Sequence, residues 1–280
     1  MADADKPFAD WIGRRTVSDD VVADRLVRSF RAMFDPLLAA VADGEAPLGI
    51  HWCLSPAIEP MAALGGDGHP EKNLALPPVP LPRRMWAGGS VEPLAPLMVG
   101  DRVRRTSTIA NVDRKVGRSG ELWFVTVDHE YRTDRGVAIR ERQDIVYREA
   151  AGAQPKSPPP AVAASAGAVR AAERHWTIET PPTLLFRYSA ITFNGHRIHY
   201  DHPYATEVEG YPGLVVHGPM QATLLLNLAA SDGRRLRAFD YRGLSPAIAG
   251  APLRICAGND GTLWTDRPGG TIHMEAKAAF

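Results

Sequence analysis

The segment that most limits what this chain can fold into is PMQATLLLNLAA, residues 219 to 230, which is apolar nearly all the way round. A helix at a protein surface keeps one polar face; a run so rich in Leu and Ala without one predicts a helix buried on most sides. Such a helix needs a sheet wrapped about it. The sequence downstream offers strands near 234–242, 252–257, 262–265 and 271–278, separated by Gly, Pro and Asp turns.

A helix followed by a meander is also predicted upstream. Val21, Val22, Leu26, Phe30, Met33 and Phe34 recur at helical spacing behind the capping residues Thr16-Val17-Ser18-Asp19-Asp20, which predicts a helix over about 19 to 41, kinked or divided at Pro36. Residues 43 to 83 are dense in Gly and Pro and read as an irregular, ordered excursion of the kind that shapes sites. From Met85 onward, alternating runs near 101–112, 121–132 and 137–148 predict half-buried antiparallel strands. The turns are expected at Gly88-Gly89, Gly100-Asp101, residues 117 to 120 and Asp134-Arg135-Gly136.

Between the two patterns, residues 151 to 172 are almost wholly Ala, Pro, Ser and Gly, with no large apolar group to anchor them, and read as a linker. The chain therefore divides into units 1–150 and 173–280, the second opening with a strand near 175–179, and the class is α+β.

Charge narrows the function. Thirty-two basic residues balance thirty-two acidic ones, so no net positive field gathers nucleic acid or an anionic membrane surface. Arg102, Arg104 and Arg105 form a local cluster that reads either as a phosphate site or, more simply, as a solvated strand face. Cys53 and Cys256 stand far apart without a partner motif, which argues against a disulfide framework or a Cys-based zinc site. The opening MADADKPFADWIGRR is acidic where a targeting peptide is basic and apolar, and no apolar run approaches ~18 residues, so a cytoplasmic protein is expected.

The richest polar stretch runs Tyr188-Ser189-Ala190-Ile191-Thr192-Phe193-Asn194-Gly195-His196-Arg197-Ile198-His199-Tyr200-Asp201-His202-Pro203 and reaches His217-Gly218-Pro219 at the start of the apolar helix. It resembles the hydratase signature of MaoC-like proteins, in which an Asp stands five residues before a His and a His-Gly step leads into a central helix. In that alignment His199 falls on the family's catalytic His, and Asn194 stands where the family has Asp. The fuller pattern from Phe193 to Asp201 resembles a narrower branch, mitochondrial 3-hydroxyacyl-thioester dehydratases and bacterial mesaconyl-C4-CoA (3-methylfumaryl-CoA) hydratases. Leu64-Gly65-Gly66-Asp67-Gly68-His69-Pro70, Leu81-Pro82-Arg83-Arg84-Met85-Trp86-Ala87-Gly88-Gly89 and Val99-Gly100-Asp101 carry the same likeness into the first half.

The resemblance implies an α+β double hotdog, two antiparallel sheets each wrapped around a helix, with the signature in the second unit. It also implies hydration or dehydration of an acyl thioester carried on coenzyme A or an acyl carrier protein, without a cofactor; a homodimer is compatible with it. Hydration requires a base for water and hydrogen-bond donors for the thioester oxygen as the enolate forms. His199 suits the first role and the N–H of Gly218, at a helix N-terminus, the second. Asn194 cannot exchange a proton as a carboxylate does, but its amide can orient water or substrate. Tyr188, His196, Asp201, His217 and Trp86 are candidate substrate contacts, although Tyr188, His196 and His217 suit core or loop hydrogen bonding equally well.

Arg84 or Arg197 would face the distal carboxylate of a C4-dicarboxylyl group, whereas a longer acyl chain would need an apolar channel. His196, His199 and His202 lie in a loop with no Cys, so no metal is expected. Ser189 lacks a nucleophile elbow, and no dinucleotide or phosphate loop is present. Two other readings remain open: a dehydratase of fatty acid synthesis, and a non-catalytic acyl-CoA-binding protein, for which Asn194 is the motivating feature.

Overall fold

The computed structural model describes residues 7–117, 120–149, 170–267 and 270–280. Among them, ten strands form one antiparallel sheet: β1 (Arg15–Val21), β2 (Arg83–Pro93), β3 (Arg102–Gly117), β4 (Gly120–Thr133), β5 (Gly136–Arg148), β6 (Arg174–Ile178), β7 (Ala238–Gly243), β8 (Leu253–Ala257), β9 (Thr262–Asp266) and β10 (Ile272–Ala279). Their spatial order is β1-β3-β4-β5-β2-β7-β10-β9-β8-β6. The helices are α1 (Asp24–Phe34), α2 (Pro182–Thr192) and α3 (Gly218–Ala230). No helix among the described residues is long and apolar enough to cross a membrane.

The apolar segment behaves as its composition dictates. Met220, Ala222, Thr223, Leu224 and Leu225 of α3 are fully buried, and the helix packs against β8, β9 and β10. Each buried Leu contributes ~2 kcal/mol by removal from water. Its polar Asn227 is buried without penalty because every hydrogen-bonding edge is used: Nδ2 donates to Leu48 O (2.9 Å) and Thr223 O (2.8 Å), and Oδ1 accepts from Ala39 N (3.1 Å). The irregular excursion of the first half is thereby pinned to the helix of the second.

The two halves of the sheet are continuous, and the join corrects one expectation. Gly88-Gly89 is not a turn but the centre of β2, where Gly88 lies opposite Arg242 and Gly89 opposite Tyr241 of β7. A Cβ on Gly88 would stand 2.7 Å from the Tyr241 carbonyl oxygen, and one on Gly89 would collide with the Arg142 carbonyl and the Tyr241 ring. Glycine in a strand interior marks close approach as well as turns, and close approach is the reason here.

Two other expectations shift, and one helix was not anticipated. The predicted helix over 19–41 is shorter, because residues up to Val21 pair with β3 as an exposed edge strand; the helix starts after Ala23 and ends before Pro36. Residues 187 to 192 belong to α2, which stops at Phe193 in the left-handed conformation (φ 49°) with its N–H on Ser189 O. The strand expected over 234–242 begins only at Ala238. The proposed linker lies outside the described residues as far as 169, as do 118 and 119 in the turn expected at 117 to 120. Of the arginine cluster, Arg104 pairs with exposed Asp19 across β1 and β3, so its charge is matched at the strand edge. Both cysteines are buried and free.

Candidate active site

A cavity of about 500 Å³ opens between the halves, lined by β2, β5, the loop near residue 69, the polar motif and the mouth of α3. His199 is on its wall and otherwise buried, with Nδ1 2.7 Å from the Val215 carbonyl oxygen. A carbonyl only accepts, so Nδ1 carries the proton and Nε2 keeps a free lone pair. Burial lowers this ring to about 4, which leaves it neutral at neutral pH, with its lone pair unprotonated.

The His199 ring stacks on His217 with centroids 3.6 Å apart and planes 18° from parallel. His217 itself lies behind this wall, its Nε2 2.9 Å from Ser189 Oγ. Because His217 immediately precedes Gly218, the stack holds the His199 imidazole against the mouth of α3. The Gly218 N–H has no backbone acceptor among the described residues, and Gly218 lines the cavity. A Cβ at this position would approach Trp86 Cε3 to 2.9 Å, so glycine is what lets Trp86 lie over the helix start. An anion placed there meets an unpaired N–H and the positive end of a helix.

Trp86 stacks on Tyr241 (4.5 Å, 18°) and meets Trp52 edge-on (5.9 Å). Trp52 Nε1 and Gln143 Nε2 both donate to buried Glu141, each at 2.7 Å, which fixes two more cavity residues. Tyr188 lies on the wall with its buried hydroxyl unpartnered, edge-on to His217 at 4.9 Å. Arg84 also faces the cavity, half-buried and without an ion-pair or hydrogen-bond partner among the described residues.

Arg197 and Asp201 are not brought into this cavity. The Arg197 guanidinium bonds Asp201 Oδ2 through Nη2 (2.8 Å) and Nε (3.0 Å), donates to Gly66 O (2.9 Å) and lies over the Tyr204 ring. Its backbone N–H donates to Asp67 O (2.9 Å). The residue thus clips the 64–70 loop onto the motif. Gly68, at φ +86°, sits so close to Gly195 that a Cβ on it would overlap the Gly195 carbonyl oxygen.

That clip delivers two residues to which the sequence reading gave no role. Asp67 Oδ2 lies 2.8 Å from His69 Nδ1, and Asp67 Oδ1 accepts from the His69 amide (3.0 Å). Burial of the Asp67 carboxyl is outweighed by these bonds, which hold it below the ordinary carboxylate range. Burial, with the Arg84 charge beside it, lowers the His69 ring to about 4. The rings of His69 and His196 are 4.0 Å apart, and His196 meets His199 edge-on at 5.4 Å. All three line the cavity, as does Asn194, whose Oδ1 accepts from His196 N (2.9 Å). Asp67, His69 and His196 have one ligand-type atom each within 4.8 Å of the others, the trio among the described residues able to hold a metal ion, though Asp67 and His69 are already bonded to each other. The Gly-Asp-Gly-His-Pro spelling was the available signal for the dyad.

A continuous antiparallel sheet with one buried helix, and a neutral imidazole beside that helix's N-terminus, define a hotdog-type site. Solved structures share the architecture. A MaoC-like dehydratase superposes with a TM-score of 0.68 over 96% of this chain and 98% of its own, at 14% identity. A Mycobacterium tuberculosis protein described as a double hotdog fold gives 0.55 over 95% of each chain, at 13% identity. The chain is 41% identical over 253 residues to the mesaconyl-C(4)-CoA hydratase of Chloroflexus aurantiacus, covering 90% of this chain and 89% of that one. Residues 49–249 match the family profile of hydroxyacyl-thioester dehydratase type 2, and the protein belongs to that family.

Proposed function

We propose that the protein reversibly hydrates a 2-enoyl-CoA thioester, with a C4-dicarboxylyl acyl group of the mesaconyl-C4-CoA type as substrate and citramalyl-CoA as product. The observation that carries this reading is the shared cavity in which His199 presents a bare Nε2 beside the mouth of α3, where Gly218 presents a free N–H. His199 takes a proton from water as the oxygen bonds to the β-carbon. The π electrons pass to the thioester oxygen, held by the Gly218 N–H and the helix dipole. The imidazolium then returns its proton to the α-carbon, so one group serves both directions.

Arg84 supports the dicarboxylyl choice. A half-buried guanidinium without a partner in a ligand cavity is matched by a carboxylate at the far end of the acyl group. The name of the Chloroflexus relative agrees with that chemistry. The same machinery run in reverse on a 3-hydroxyacyl thioester is the second reading, favoured by the family profile. Units 1–150 and 173–280 are the two hotdog halves of this reading, acting in the cytoplasm with the thioester on coenzyme A.

Mesaconyl-C4-CoA, crotonyl-CoA and a longer 2-enoyl-CoA, each followed by loss of enoyl-thioester absorbance, separate these readings. The dicarboxylyl thioester is expected to be hydrated with the highest kcat/KM. A preference for the long chain favours the dehydratase, and no turnover of any of them leaves a binding protein.

A further inference from the structure

We propose that His69, oriented by Asp67, accepts the second hydrogen bond of the attacking water, so that the water site is completed by the N-terminal half of the chain. This rests on the hydro-lyase reading above. A water that gives one O–H to His199 Nε2 has a second O–H, and against a wall of aromatic rings that group needs an acceptor of its own. Asn194 is the weaker acceptor: its Oδ1 already accepts from the His196 N–H, and the other edge of the amide is the NH₂, a donor.

His69 offers an acceptor that no other bond among the described residues engages. Its Nδ1 donates to the Asp67 carboxylate, so Nε2 is an acceptor in the favoured tautomer. His196, by contrast, has no partner fixing its tautomer among the described residues. The dyad is also rigidly set against the motif. Gly68 and Gly195 are in backbone contact, and Arg197 ties both Gly66 O and Asp67 O to its own segment. His69, His196 and His199 face one cavity in that order.

The step balances without a second proton carrier. The water O–H bond to His199 breaks, the oxygen bonds to the β-carbon, and the same proton goes from His199 to the α-carbon. His69 holds the remaining hydrogen throughout, and the Asp67 carboxylate offsets the positive charge that appears transiently on His199.

The test is a double-mutant cycle in the full chain, assayed on the enoyl-CoA that the unmodified protein hydrates. His69→Ala is expected to lower kcat about 10- to 100-fold with KM changed less than about twofold. Asp67→Asn should give a smaller loss of the same kind. Asn194→Asp puts a carboxylate acceptor beside the same water, so in that background His69→Ala should cost about tenfold less than in the wild-type chain. His69→Gln, which keeps an acceptor oxygen and most of the volume, should retain more activity than His69→Ala and guards against loss by misfolding. Unchanged kcat in both His69 variants, or equal losses in the two backgrounds with native circular dichroism, would overturn the role. So would loss of wild-type activity in EDTA that Zn²⁺ restores, since the trio would then hold metal. A wild-type protein that hydrates no enoyl thioester overturns the functional reading itself, an outcome distinct from all of these.

Discussion

His199 carries its proton on Nδ1 because a carbonyl lies 2.7 Å away, and that single contact decides which nitrogen can meet water. His199→Ala is therefore expected to lower kcat by about a hundredfold or more, while its thermal midpoint moves only a few degrees; retention of most of the turnover would remove the ring from its role. For Arg84→Gln the expected change is selective, KM rising about tenfold for mesaconyl-C4-CoA and little for crotonyl-CoA, since only the first carries a distal carboxylate. Equal effects on both would place Arg84 near the coenzyme instead. That His199, Asn194 and Gly218 share one cavity was legible in the sequence because one motif fixes their spacing. Arg197 and Asp201 stand in the same motif, yet a four-residue separation within a turn pairs them with each other. Asp67 and His69 were not legible as site residues, because the contact that delivers them joins loops more than a hundred residues apart.

At the level of elements, periodicity was informative where one face is buried and misleading where neither is. α3 was legible since its environment is uniform. β1 was not: its seven residues are mostly exposed, and their capping chemistry resembles a helix start more than an edge strand. The glycines show the same limit, for sequence alone does not distinguish a glycine that turns from one that lets two backbones touch. Gly68→Ala tests the second case. Its positive φ and contact with the Gly195 carbonyl predict a loss of stability of ~2 kcal/mol or more, together with a fall in kcat as the His69 loop lifts from the motif. Denaturant titration and steady-state kinetics on one preparation check both, and an alanine variant of native stability would show that the loop has room to relax.

The whole molecule is sensitive to acid in a way that its balanced charge does not suggest. Burial lowers His51, His199 and His273 to about 4 from 6.5. Because the folded values lie below the unfolded ones, the stability these neutral rings retain is complete above pH 6.5 and is lost as pH falls towards 4. Each gives up about 3 kcal/mol over that span, so the three together forfeit an amount comparable with the stability of an ordinary domain. The protein should unfold cooperatively between pH 4 and 6, followed by tryptophan fluorescence; a native spectrum at pH 3.5 would show that these rings find partners on protonation.

The β2–β7 seam has a bearing on synthesis as well as on shape. β2 is complete by residue 93, but the strand that covers its outer side starts at residue 238. A nascent chain consequently carries an open ladder of main-chain donors and acceptors through the translation of just over half its length. An edge left open for that long is a place where pairing with the wrong strand competes with pairing to β7, so the seam is a step at which synthesis can go astray.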